Sequence, residues 1–189
     1  VNRKLTLILS SLFMLFMAGL FIFYFIKHDS SRWQVALGGI VVSALPLLLL
    51  KVKNNPFNNI VLIGYFVFIF CSTFLGSIAL FYLHHKWWDT TIHLYKGAYV
   101  AYLGLALFNL FVPKSARSHI SEWILFIYLL SLAATASVLW EIYEFVGDKT
   151  FTHTMQRGGN TDTMLDLMAG LGGGLLMALF SLKRNQVPK

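Results

Sequence analysis

Six separate runs of about 20 apolar residues, divided by short polar breaks, decide what this chain can fold into. They cover roughly residues 5–26, 33–50, 60–83, 90–112, 123–145 and 163–182, with "KHDSSR", "KVKNNPFNN" and "PKSARSH" among the breaks. A helix needs about 20 apolar residues to cross a bilayer, and in lipid only helices and closed barrels satisfy their own backbone. The runs are continuous instead of alternating, which disfavours a barrel. The expected fold is therefore all-α: a polytopic membrane bundle of about six transmembrane helices, forming a single integral-membrane domain over residues 1–189. The first run follows "NRK", is too long for a signal peptide and lacks a clear small-residue cleavage site, so it reads as an uncleaved first span.

Charge excludes other classes. Only 12 % of residues are charged and mean hydropathy is +0.68, far from an ordinary soluble domain. The net charge of +7 lies scattered between apolar runs instead of on one patch, so no nucleic-acid partner is expected and membrane lipids are. Cys71, the one cysteine, leaves no intrachain disulfide and no cysteine-based metal site. Lysines and arginines in the short breaks set orientation. With the N-terminus inside, Arg3, Lys4, Lys51, Lys53, Lys114, Arg117, Lys183, Arg184 and Lys189 are cytoplasmic, and Lys27, Arg32, Lys86, Lys149 and Arg157 are outside, a bias of 9 against 5. Both termini are thus expected in the cytoplasm of a bacterial cell, the chain lying in its inner membrane.

In that topology the start of span four, the end of span five and the start of span six share the outer third of the bilayer. They carry Asp89 and His93, Glu141 and Glu144, and Asp162 and Asp166. Spacings of three or four place each pair on one helical face. Span four continues its stripe with Gly97 and Gly104, span five with Ala134 and Ser137, and span six with Ala169 and Gly173, small residues that let membrane helices approach closely. The polar faces are therefore expected to meet. Five of the chain's eight acids belong to this set, against Lys96 as the one lysine inside a span. A charged side chain inside the bilayer costs about 2.5–3.5 kcal/mol even on the lenient insertion scale. Bound cations, shared protons, or His153 and Arg157 from the "GDKTFTHTMQRGGNT" loop are the available compensation.

The motif order Asp89-x3-His93-x3-Gly97, Glu141-x2-Glu144 and Asp162-Thr163-x2-Asp166 resembles the YjdF-like bacterial inner-membrane proteins, a family of unknown function. More distantly it is similar to VanZ-like membrane proteins, named for a teicoplanin-resistance determinant. Against their pattern of Asp-x3-His, Glu-x2-Gln, and an Arg before Asp-x3-Asn, the residues Asp89, His93, Glu141, Arg157 and Asp162 match, whereas Glu144 and Asp166 replace Gln and Asn.

Three uses of such a pocket compete. Asp89, His93, Glu141, Asp162 and Asp166 are candidate ligands for Mg²⁺, Mn²⁺, Fe²⁺ or Zn²⁺, with Glu141 or Glu144 as a catalytic base and Lys96 and Arg157 in support. A metal there could act as a hydrolase centre on a lipid or lipid-linked cell-envelope substrate. Carboxylates sharing protons could instead drive a small cation- or proton-coupled transporter, although no inverted repeat joins the two halves and a homodimer would be needed to rescue that architecture. A purely structural or scaffold role is the third. The five tryptophans near span ends read as interfacial aromatics, and "GLGGG" at 170–174 as a close-packing surface instead of a phosphate loop.

The orientation is directly testable. In a Cys71→Ala background, a single cysteine introduced in the 147–161 loop should react with an impermeant thiol reagent in intact cells, and one beside Lys114 should not; the reverse pattern would place the acids on the cytoplasmic face.

Overall fold

The computed structural model describes residues 2–52, 55, 57–117, 119–150, 155–156 and 158–184, with the backbone only of residue 184. Among them are six helices long and apolar enough to cross a membrane: Arg3–Ile26, Ser30–Lys51, Asn59–Ile78, Lys86–Phe111, Glu122–Thr150 and Asn160–Lys183. There is no strand among the described residues. The all-α membrane bundle expected from the apolar runs is the fold. His153 and Arg157, the loop residues considered for charge compensation, lie outside the described residues, as do Lys53 and Lys189 from the orientation argument.

The chain divides into two compact units, Val1–Trp88 and Asp89–Lys189. In the first, α1 (Arg3–Ile26) starts at Asn2, whose side chain accepts hydrogen bonds from the Lys4 and Leu5 amides, and α2 (Ser30–Leu48) starts at Asp29, which accepts from the Arg32 amide. These caps satisfy amides that an N-terminal turn otherwise leaves unpaired. The two helices pack through Met17 and Ala36, and Gly39 makes room for the Met17 thioether, which a Cβ there would crowd at 2.8 Å. α3 (Asn59–Ile69) then runs on as a π-helix, Phe70–Ile78.

Here the third span departs from expectation. The apolar run continues to residue 83, but the long helix stops at Ile78, Leu80 takes a left-handed conformation (φ 64°), and Phe81–His84 form a separate turn, α4. Residues 79–83 are as apolar as the helix before them, so hydropathy carries no sign of the break. Beyond the break the Tyr82 ring folds back onto Gly76, where any Cβ would collide with it.

The second unit holds α5 (Lys86–Phe111, whose first three residues precede the boundary), a short α6 (Lys114–Arg117), α7 (Glu122–Thr150) and α8 (Asn160–Arg184). Arg117 closes α5 by donating from Nε to the Val112 carbonyl at 2.9 Å and from a terminal nitrogen to that of Asn109 at 2.5 Å, serving carbonyls that a helix end leaves unpaired. Ala101, Leu125, Leu129, Ala133 and Ala178 form a buried core shared by α5, α7 and α8. Outward-facing residues such as Ile127, Leu139 and Leu176 remain exposed, as lipid-facing positions are.

Glycines govern how closely these three helices approach. A Cβ on Gly97 would fall on the Gly170 carbonyl oxygen, and one on Gly173 on the Leu94 carbonyl oxygen, so α5 and α8 cross backbone to backbone. On the other side of α8, a Cβ on Gly170 would strike the Ser137 hydroxyl and one on Gly174 the Ala133 methyl. The "GLGGG" segment is thus a packing surface toward both neighbours, as the sequence suggested.

Substitution should separate crossing glycines from merely helical ones. Gly97→Ala and Gly173→Ala should each lower stability in detergent by about 1–3 kcal/mol, since backbone cannot yield as a side chain does. Gly172→Ala, whose new methyl would sit in ordinary contact with Leu94 at 3.6 Å, should be neutral or slightly stabilising through helix propensity. Equal melting shifts for all three would refute the crossing.

Candidate functional site

Among the described residues of the second unit, four ionisable side chains are almost completely buried: His93 (2 % exposed), Asp166 (2 %), Glu141 (5 %) and Lys96 (6 %). α5 supplies His93 and Lys96 on one face, three residues apart, with Asp89 one turn before. Asp166 comes from the second turn of α8, and Glu141 from α7 one turn beyond Ser137. The backbone-close crossing at Gly97 and Gly170 lies about one helical turn from His93 and Asp166, and it is what brings these residues together.

The imidazole of His93 is the centre. One ligand atom each from Asp89, His93 and Asp166 lies within 4.8 Å of the other two. Nε2 of His93 stands 3.6 Å from Asp89 Oδ1. On the opposite edge of the ring, Nδ1 is 3.1 Å from Lys96 Nζ and 3.5 Å from Glu141 Oε1. Both oxygens of Glu141 are buried and make no hydrogen bond of good geometry among the described residues, although the Thr163 and Gln156 side chains and Lys96 lie within electrostatic reach. Near it, the Gln156 amide donates to the Thr163 hydroxyl at 3.2 Å. Asp162 and Glu144 are half-buried and, with Asp89 and Glu141, within electrostatic reach of Asp166.

The polar faces expected from the spacing therefore do converge, around a His-centred group. Asp89, His93 and Asp166 form its tight part; Glu141 meets the far edge of the ring; Asp162 sits at the first turn of α8, packed against the Gly158–Gly159 turn. Lys96 is held inside, between His93 and the Trp140 ring, 4.6 Å from the ring centre. The proposed supporting residue Arg157 lies outside the described residues.

Trp140, which its place near a span end marks as an interfacial aromatic, has a role here that the sequence does not announce. Its indole N–H donates to Glu144 Oε1 at 2.7 Å while its face receives Lys96. The i,i+4 spacing of Trp140 and Glu144 was the available signal. The sequence does not announce Asp148 either: it accepts from the Met155 and Gln156 amides at 3.0 and 2.9 Å and so anchors the chain between α7 and α8.

Two carboxylates and one imidazole present two negative charges and an oxygen–nitrogen donor set, which suits a divalent cation. With metal–ligand bonds of about 2.0–2.2 Å, donor atoms around one ion lie at most about 4.4 Å apart. Three such donors would have to draw closer than their 4.8 Å limit to enclose one.

Residues 8–186, nearly the whole chain, match the family described as "Predicted membrane protein (DUF2238)". The chain belongs to this family. A Thermotoga maritima protein described as "Uncharacterized protein" is 31 % identical over 112 residues, which make up 58 % of this chain and 55 % of that protein. The chain thus spans about half the length of the relative it matches. No solved structure matches the chain. This DUF2238 protein is accordingly a multi-pass membrane protein whose second unit gathers Asp89, His93 and Asp166.

The Trp140–Glu144 hydrogen bond of the DUF2238 chain can be isolated by a double-mutant cycle. Trp140→Phe and Glu144→Ala should each destabilise, and their effects should be non-additive, with a coupling on the order of 1 kcal/mol, because both remove one bond to a partly buried carboxylate. Full additivity in detergent melting would refute it.

Proposed function

We propose that this protein, a YjdF-like protein of the bacterial cytoplasmic membrane, binds a divalent cation at Asp89, His93 and Asp166 and uses it on a lipid or lipid-linked cell-envelope substrate. The reading rests on one observation: three ligand-type side chains from two helices lie within 4.8 Å of one another, two of them nearly fully buried. An acidic group in that position needs a positive counterpart, and Lys96 alone does not neutralise the carboxylates around it. Mn²⁺, Zn²⁺, Fe²⁺ and Mg²⁺ all fit the donor atoms. A cation so held would polarise a phosphoryl or acyl oxygen and make a bound water nucleophilic. Asp162 and Glu144 border the group, and Glu144, oriented by Trp140, is the candidate general base. The helix ends carrying the group open toward the outer leaflet in the orientation set by the basic residues, which supports an envelope lipid as substrate.

One observation favours a second reading. Glu141 is buried with neither oxygen hydrogen-bonded, beside His93 and Lys96, an arrangement suited to proton sharing in a cation- or proton-coupled transporter. The two are separable. A metal-dependent hydrolase releases product from envelope lipid extracts without a gradient; a transporter moves solute in sealed vesicles and responds to an imposed pH difference.

Metal analysis of the purified protein should find about one divalent ion per chain, removed by chelator. Saturating cation at 100 times its Kd should stabilise the fold by about 2.7 kcal/mol, read as a melting shift. Asp89→Ala, His93→Ala and Asp166→Ala should each abolish that shift, while Glu122→Gln, remote in sequence at the start of α7, should keep it. Wild-type melting indifferent to Mn²⁺, Zn²⁺ and chelator would end the cation reading.

A further inference from the structure

Glu141 is an unusual group to find where it is: a carboxylate 5 % exposed, with the Lys96 ammonium, the His93 ring and the Thr163 and Gln156 side chains around it, yet no hydrogen bond of good geometry to any of them. Burying such a group unpaired is costly, and a site that keeps one has a partner for it in another state. The geometry of the ring indicates which state that is.

An ammonium can only donate. At 3.1 Å from Lys96 Nζ, Nδ1 of His93 is therefore the acceptor, and the ring hydrogen sits on Nε2, facing Asp89. A cation held with Asp89 must take Nε2, the nitrogen on that edge. The ring hydrogen then has to be on Nδ1, where it can no longer face the Lys96 ammonium. One oxygen already stands on that edge without a donor: Glu141 Oε1, 3.5 Å away.

We infer that Glu141 is the positioning carboxylate of the cation site, accepting the Nδ1 hydrogen of His93 when a cation occupies Nε2, and is not itself a ligand. The inference rests on the cation site proposed above. On binding, the hydrogen leaves Nε2 and one is taken up at Nδ1, so the ring stays neutral and no proton is gained or lost there. Lys96 gives up Nδ1 and turns its ammonium to the second oxygen of Glu141, keeping its place on the Trp140 face. The result is a carboxylate–histidine–cation line, in which the outer carboxylate fixes the ring's tautomer and raises its basicity. The separation of roles follows from the opposite edges of the imidazole. Asp89 and Glu141 cannot both reach an ion bound on one of them.

The test uses the full-length protein in detergent, with Co²⁺ as a spectroscopic probe and Mn²⁺ for affinity. Glu141→Ala should weaken Mn²⁺ binding by roughly 10- to 100-fold, and Glu141→Gln, whose amide oxygen can still accept from Nδ1, should recover much of that loss. Neither should change the Co²⁺ ligand-field bands, whereas Asp166→Ala should. Altered Co²⁺ bands in both Glu141 variants would make it a ligand and overturn the inference while leaving the cation site standing. Unchanged Mn²⁺ affinity in Glu141→Ala would overturn it likewise. Wild-type protein that binds neither ion overturns both.

Discussion

The close crossing of α8 against α5 and α7 is the constraint on which the second unit depends. Apolar burial does not drive helices together in lipid, because the tails are as apolar as the side chains; packing and hydrogen bonding do. Gly97, Gly170, Gly173 and Gly174 let backbone meet backbone or a single methyl or hydroxyl group. Once the helices are that near, the polar side chains one turn away have no lipid to face and only one another to meet. A bulkier contact would hold the helices apart and leave Asp166 out of reach of His93. The same small residues that stabilise the bundle therefore set the distances of its ionisable group.

That group is arranged around a ring with two different edges. Asp89 faces Nε2, and Lys96 and Glu141 face Nδ1. In a low-dielectric interior the positions of so few hydrogens carry large energies, since each unpaired polar atom loses its hydration without replacement. Trp140 contributes on two sides, donating through its indole nitrogen to Glu144 and offering its face to Lys96. An ammonium over an indole face gains electrostatic attraction without spending a carboxylate on it. Glu141 is left as the group whose hydrogen-bonding capacity is unfilled.

The first unit shows the limit of hydropathy as a guide. Its helices begin at residues with the right side chains, Asn2, Asp29 and Asn58, each accepting from an amide in the first turn. The end of the third span carries no such mark. Phe70–Ile78 winds as a π-helix and the chain then turns through Leu80 in a left-handed conformation, within residues that are all suited to lipid. After the break Tyr82 packs on Gly76, and π-segments of this kind are often found at functional positions.

Read from the sequence alone, the chain already declared six membrane spans, since bilayer thickness and the need to satisfy every backbone group leave few alternatives to a 20-residue apolar run. The same period of 3.6 residues placed Asp89 with His93, Glu141 with Glu144 and Asp162 with Asp166 on common faces, because that relation is internal to one helix. Which of those residues meet across helices was not legible. It depends on the angle and distance at which three helices cross, and on which edge of one imidazole each neighbour reaches. Asp166 joined Asp89 and His93, Glu141 took the other edge of the ring, Glu144 turned to Trp140, and Lys96 stayed inside. Periodicity reports where a side chain points on its own helix; only packing between helices decides what it points at.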